Sequence, residues 1–301
     1  MSWLLALVLG SSLVACSRET RQSRGKGAGE PSSVDAKRVT IQNKGSDTLV
    51  NVAQTWAEAY AKIRPETPVA VSGGGTGTGV SALINRTADI VNASRELTRK
   101  ELEMAKQRGI DPRARVVGHD AVVIFVHKNN PKKQFSLAEL VEIYGEGGRV
   151  ERWSDLGVQV PGCPSDEVVL ISRQNNSGTY EYFKQAILGK TRELRLGSRD
   201  LHGSKDVVDL IAKTPCAIGY SGLAYSTDNV HMACIRKDGA CVAPTVNSAL
   251  DGSYPIARPL FMVTDGKPEG AVADYLSWIE TDAGQCIIAR QGYAPVRPLK
   301  C

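Results

Sequence analysis

The apolar positions of the chain change period several times along its length. Val39-Thr40-Ile41 has the in-and-out spacing of a strand. From Thr48 to Ile63 the residues Leu49, Val52, Trp56, Ala59, Tyr60 and Ile63 return every three or four positions, which predicts a helix that Pro65 stops. Val69-Ala70-Val71 predicts a second strand, a helical stretch runs through Leu83 and Ile84, and Ala88 to Val91 predicts a third strand ending at Ser94-Arg95. Strand, short loop and helix in repetition are the pattern of a parallel α/β layer, whose ligands sit at the carboxyl ends of the strands. The pattern returns further along. Ala121 to His127 is a continuous apolar strand, Ser136 with Glu139 three residues later opens a helix as a capping box, and Val168 to Ile171 is a buried strand before a helix holding Tyr180, Phe183, Ala186 and Ile187. A late strand, Leu260 to Val263, and a helix, Ala271 to Ile279, are expected to complete the first of two lobes. Crossings near residues 115–125 and 255–262 then form the hinge.

A length of 301 residues suits two lobes, each able to bury its own core. The apolar run from Trp3 to Ala15 is too short to span a bilayer and reads as the h-region of an export signal, residues 1–15. Leu13-Val14-Ala15-Cys16 resembles a bacterial lipobox, so cleavage before Cys16 and lipidation of its thiol are expected. The Ser-, Gly- and Arg-rich segment 16–37 then reads as a flexible tether to a membrane. The composition of the whole chain, 42% hydrophobic and 23% charged, is ordinary for a folded soluble protein.

Charge narrows the partners. The net charge is +5, and residues 17–38 hold six basic against three acidic side chains, a surplus of +3 that leaves only +2 for the rest. Nucleic-acid binding needs a concentrated basic surface and is not expected. Apart from Cys16, six cysteines remain: Cys163, Cys216, Cys234, Cys241, Cys286 and Cys301. An even number in an exported chain points to as many as three disulfides of open pairing, with Cys234 and Cys241 placed to staple a hairpin around Lys237-Asp238-Gly239. His119, His127, His202 and His231 are scattered and there is no Cys-x-x-Cys, so no metal or cofactor is expected.

Three segments share one design, in which a strand ends, Gly, Ser and Thr follow, and a helix starts: Gly45-Ser46-Asp47-Thr48, Gly73 to Gly79, and Asn176-Ser177-Gly178-Thr179. A helix N-terminus presents unpaired N–H groups and a positive dipole end, glycine allows close backbone approach, and hydroxyls add neutral donors. Three such termini converging from two lobes would surround a tetrahedral oxyanion. The glycine run is neither a dinucleotide fingerprint nor a P-loop, since no Gly-Lys-Ser or Gly-Lys-Thr follows. Arg173, four residues before Ser177 at a strand end, is placed to grip two oxygens of one ligand. Arg95, beside Ser94, is either a ligand contact or a partner of Glu96 or another acid.

Gly45-Ser46-Asp47-Thr48, the run Ser72 to Gly79 leading into Val80, Ala88-Asp89-Ile90 through Ala93-Ser94-Arg95, and Arg173-Gln174-Asn175-Asn176-Ser177-Gly178-Thr179 together resemble, in order, the ligand-binding segments of the periplasmic phosphate-binding proteins of Pst-type ABC transporters. The likeness covers roughly residues 39–300. It implies an α/β type II periplasmic-binding fold, two Rossmann-like lobes joined by a two-strand hinge, with lobe 1 formed by 38–120 and 258–301 and lobe 2 by 121–257. It implies capture of inorganic phosphate in the interlobe cleft and delivery to an ABC permease by a monomeric, lipid-anchored protein at the outer face of a bacterial membrane. The implied ligand set is Thr48 with the backbone N–H of Leu49, Thr76, Ser94, Arg173, Ser177, Gly178 and Thr179, with Ser46 and Gly77 as additions.

One position departs from the family. Well-known members place an aspartate after the serine equivalent to Ser94, where it accepts the proton of hydrogen phosphate; here Arg95 stands there. The acceptor is then Asp47 or Asp120, or is missing. Sulfate, molybdate and tungstate are the alternatives within the same class. A phosphoesterase using Ser177 or Thr76 as nucleophile needs a base or metal cluster that the sequence does not supply, so no enzyme is expected. A surface adhesin or sensory ectodomain would hold the same ion without transport.

Overall fold

The structure is a computed structural model describing residues 40–301. The expected export signal 1–15, the tether 16–37 and Cys16 lie outside the described residues. In chain order the elements are β1 (Ile41–Gly45), α1 (Val50–Ala61), β2 (Val69–Ser72), α2 (Thr76–Ile84), β3 (Ile90–Ala93), α3 (Arg99–Gln107) and β4 (Pro112–His127). Next come β5 (Gln134–Ser136), α4 (Leu137–Tyr144), β6 (Val169–Arg173), α5 (Gly178–Leu188), β7 (Arg199–Leu201), α6 (Ser204–Lys213) and β8 (Ala217–Gly222). The chain ends with β9 (Val230–Lys237), β10 (Ala240–Val242), α7 (Val246–Leu250), β11 (Ala257–Asp265), α8 (Gly270–Ile279) and α9 (Asp282–Arg290). The first strand thus begins where its expected span ended, at Ile41. Its register is fixed by parallel pairing with β2 from Ile41 against Val69 to Lys44 against Ser72.

The strands run in the order β2-β1-β3-β11-β4-β8-β6-β7, with β9 branching from β4 to β5 and β10. Two parallel triplets are built alike. β1 lies between β2 and β3, and β6 lies between β7 and β8, so in each triplet the chain leaves the central strand on one side and returns on the other. That reversal leaves a crevice at the carboxyl end of the central strand, where helices from opposite sides diverge. Both crevices are filled by the loops singled out above: Ser46 to Leu49 follows β1, and Gln174 to Ser177 follows β6.

β4 joins the triplets. Its first part pairs antiparallel with β11 from Pro112 to Ala121, and its last part pairs with β8 from Val122 to Val126 and with β9 from Ile124 to His127. β11 has a register shift between Leu260 and Phe261. The apolar core divides accordingly. One cluster draws on Ala121 to Ile256 with Ala294, and two others draw on buried residues up to Val117 together with buried residues from Leu260 onward. Trp56 and Trp153 anchor the larger clusters, and each satisfies its indole N–H, on Gly284 O at 2.7 Å and Cys216 O at 3.0 Å. Three disulfides are present, Cys163–Cys216, Cys234–Cys241 and Cys286–Cys301, and the second staples the β9–β10 hairpin as its spacing predicts.

Candidate functional site

The three loops meet. Ser46, Thr48, Thr76, Ser94, Ser177 and Thr179 are all buried, at 3% exposure or less. Ser46 Oγ donates to Ser94 Oγ at 2.8 Å, Ser94 N donates to Thr76 Oγ1 at 3.2 Å, and the hydroxyls of Thr48 and Thr179 lie 2.9 Å apart. Thr48 and Thr179 are 131 residues apart in sequence and come from opposite triplets. The contact is tight because Gly178 has no side chain: a Cβ there would lie 2.2 Å from Thr76 Oγ1 and 2.5 Å from Ser94 Oγ. Gly75, at φ 88°, would likewise drive a Cβ to 2.6 Å from Asn176 O.

Local structure explains why these hydroxyls remain directed at one another. The N-cap of α1 is Leu49 and that of α2 is Gly75, and neither makes a side-chain capping bond, so Thr48 and Thr76 are not drawn to their own helix ends. At α5, Ser177 does cap, accepting from Thr179 N at 3.1 Å and Tyr180 N at 3.4 Å. Leu49 is fully buried and its N–H donates to Ser46 O at 3.1 Å. Gly77 N donates to Asn176 O at 3.0 Å, which ties the loop before α2 to the loop before α5. Tyr225 Oη donates to Asp47 O at 2.6 Å, and Tyr293 Oη donates to Thr48 O, so the turn after β1 is clamped from behind.

Arg173 is 1% exposed, and its Nη2 lies 3.2 Å from Asp47 Oδ2 across the crevice. Its remaining donors reach Leu201 O, His202 O and Ser204 Oγ. Burial pulls its pKa down, against the attraction of Asp47. Arg95 is not brought into the cluster. Both its Nη atoms reach the Glu101 carboxylate at 2.8 Å, at the start of α3, and it lines a cavity of about 580 Å³ with Arg99, Lys184 and Phe261. Of its two expected roles the structure realises the ion pair, with Glu101 rather than Glu96; opposed by burial, Arg95 holds the Glu101 carboxyl below its ordinary range.

The sequence reading missed Arg258. It sits on β11 opposite Asp120 on β4, and both side chains are 0% exposed. Its Nη2 lies 2.8 Å from Asp120 Oδ2 and faces Thr48 Oγ1 at 3.3 Å and Thr179 Oγ1 at 3.1 Å, while Nη1 donates to Ser94 O at 3.0 Å. Burial pushes the Asp120 carboxyl up, against the Arg258 charge. A signal was present: an arginine among Ile256, Ala257, Leu260, Phe261 and Met262 is a charge within an apolar strand, and such a charge is buried only with a partner.

Two neutral ion pairs, a ring of hydroxyls and three helix N-termini can hold a tetrahedral anion by directed hydrogen bonds. Among the described residues no histidine hydrogen-bonds to these hydroxyls, and no cluster of His, Cys, Asp and Glu is suited to a metal.

Comparison with known proteins agrees. The family described as PBP superfamily domain matches residues 27–283. The phosphate-binding protein PstS of Pseudomonas aeruginosa PAO1 is 33% identical over 269 residues, covering 85% of this chain and 83% of that protein. The chain belongs to the PstS family of the PBP superfamily. SphX of Synechococcus elongatus is 30% identical over 87% of this chain and 79% of its own length. The crystal structure of a phosphate ABC transporter substrate-binding protein with bound phosphate from Clostridium perfringens superposes with a TM-score of 0.76 at 27% identity, covering 86% of this chain and all of that one. The expected α/β periplasmic-binding fold is therefore the observed one. Within this PstS-family chain, the glycine-rich loops that carried the resemblance are those that meet at the hydroxyl cluster.

Proposed function

We propose that this protein captures free inorganic phosphate between two lobes, residues 38–120 with 258–301 and residues 121–257, and presents it to an ABC permease. The observation that carries this reading is the hydrogen bond between the buried hydroxyls of Thr48 and Thr179, one from each lobe, with Thr76, Ser94 and Gly178 packed against them. Those groups replace the water shell of an ion with neutral donors. Their near-complete burial favours a bare tetrahedral oxyanion over an ester, since a substituent would have to pass the contacts around Gly178. The carboxylates left to accept the proton of hydrogen phosphate are Asp47 and Asp120, each already facing a guanidinium.

Catalysis is no part of this reading, because Ser177 is engaged in capping and Thr76 in bonding Ser94. Absence of turnover of a chromogenic phosphate ester is the expected result. Isothermal titration of refolded, phosphate-stripped protein with phosphate, sulfate and molybdate tests the main claim. Phosphate is expected to bind tightest, and no phosphate binding below about millimolar would remove the proposal. Export and lipidation at Cys16 complete the proposal; they rest on the h-region, the lipobox and the disulfides. Metabolic labelling with a radiolabelled fatty acid should mark the wild type and not Cys16→Ser.

A further inference from the structure

Arg258 and Asp120 face each other on the two strands that link the triplets, β11 and β4, with no exposed side-chain surface on either. A buried ion pair contributes little net stability, because desolvating two charges offsets their attraction, so the pair needs an account other than stability. The hydrogen bonds give one. Nε and Nη2 reach Asp120 Oδ2 at 3.1 and 2.8 Å, and Nη1 reaches Ser94 O at 3.0 Å. Nη2 carries a second hydrogen, and it faces the Thr48 and Thr179 hydroxyls at 3.3 and 3.1 Å. These are long contacts to two neutral oxygens, each also a donor. Arg173, by contrast, has its donors on the Asp47 carboxylate, the carbonyls of Leu201 and His202, and the Ser204 hydroxyl.

We propose that Arg258 is an anion-contacting residue of this site, its Nη2–H donating with the Thr48 and Thr179 hydroxyls to the bound oxyanion. Asp120 is the counter-charge that lets a guanidinium be buried there before the anion arrives. Arg258 therefore adds a directed donor at the junction of α1 and α5 without adding net charge to the site. Tyr182, whose ring lies 5.5 Å from the guanidinium carbon, covers its other side.

The inference rests on the phosphate-binding reading, and titration with inorganic phosphate separates the two. Arg258→Lys keeps the charge but loses the fork, and is expected to bind phosphate at least tenfold more weakly. Arg258→Met combined with Asp120→Asn removes both charges and keeps an Oδ1 acceptor for the Leu223 N–H. The double variant is expected to bind at least a hundredfold more weakly and to lose the rise in Tm that phosphate gives the wild type, while its ligand-free melt stays cooperative. Binding within threefold of wild type by either variant overturns the inference alone. Wild-type protein that ignores phosphate overturns the functional reading and this inference with it. Should the double variant not fold, Arg258→Lys decides.

Discussion

At the scale of single residues, the absence of one methyl group at Gly178 lets the hydroxyls of the proposed site pack together. Gly178 opens α5, where alanine is the better helix former, but the few tenths of a kcal/mol this gives Gly178→Ala are outweighed by overpacking, so the ligand-free protein is expected to melt below the wild type. Its Cβ would overlap Thr76 Oγ1 and Ser94 Oγ, both buried. Phosphate affinity is expected to fall at least tenfold in titration, because relieving the overlap moves the Thr76 and Ser94 hydroxyls. Arg173→Ala acts differently, because it leaves the Asp47 carboxylate, 10% exposed, without its guanidinium. A loss of about 2–3 kcal/mol in phosphate binding is expected from the missing charge-assisted contacts, together with a lower Tm. Unchanged affinity in that variant would restrict Arg173 to bracing the Leu201–Ser204 turn. Arg95→Gln should lower the Tm through the lost Glu101 pair and leave phosphate affinity within threefold of wild type.

At the scale of elements, the capping boxes provide a pH-dependent contribution. Burial raises the Glu139 pKa, but hydrogen bonds from Lys132 and from the Ser136 N–H and hydroxyl outweigh it and bring the value from 4.5 down to about 2. A depressed carboxyl pKa stabilises the fold above the unfolded value and loses that contribution as pH falls through the folded one. Glu139→Gln is therefore expected to melt below wild type at pH 7, with the gap narrowing under pH 4.5 and closing near pH 2. This helix was legible from Ser136 and Glu139 alone, whereas α3 was not. Arg99 to Gln107 buries only Ala105 and so has no apolar stripe, although Thr98 and Glu101 form the same box. β8 escaped for another reason: Ala217-Ile218-Gly219-Tyr220-Ser221-Gly222 is wholly buried yet broken by glycines, because Gly219 packs directly under Ile211 and Ile171. The site followed the same division. Its loops were legible because glycine density and helix starts are local patterns, while Arg258 reaches Thr48 across 210 residues and belongs to no local motif.

At the scale of the whole molecule, the proposed site lies where the two strand triplets meet, and on the proposed two-lobe division what holds the triplets together sets the cost of binding. Protein contacts span the crevice around the hydroxyl cluster. Asn176 Nδ2 donates to Gly74 O at 3.0 Å and to Thr78 Oγ1 at 3.3 Å, Gly77 N donates to Asn176 O, and Arg173 meets Asp47. On the proposed two-lobe division, β4 and β11 would be the hinge strands, and rotation about them would separate these contacts with little disturbance of either core. A ligand that binds only the joined arrangement draws the population toward it, and its apparent affinity falls by the fraction of molecules not already joined. Asn176→Ala removes the side-chain part of this latch without touching the hydroxyls or either arginine. The ligand-free variant should therefore show a larger radius of gyration in small-angle scattering than the wild type, and saturating phosphate should erase the difference. Its phosphate affinity should drop only about three- to tenfold, since the closing equilibrium changes and the site does not. Identical scattering with and without phosphate in this variant would mean that the halves do not separate about β4 and β11, and that anions reach the hydroxyls by local motion of the glycine-rich loops.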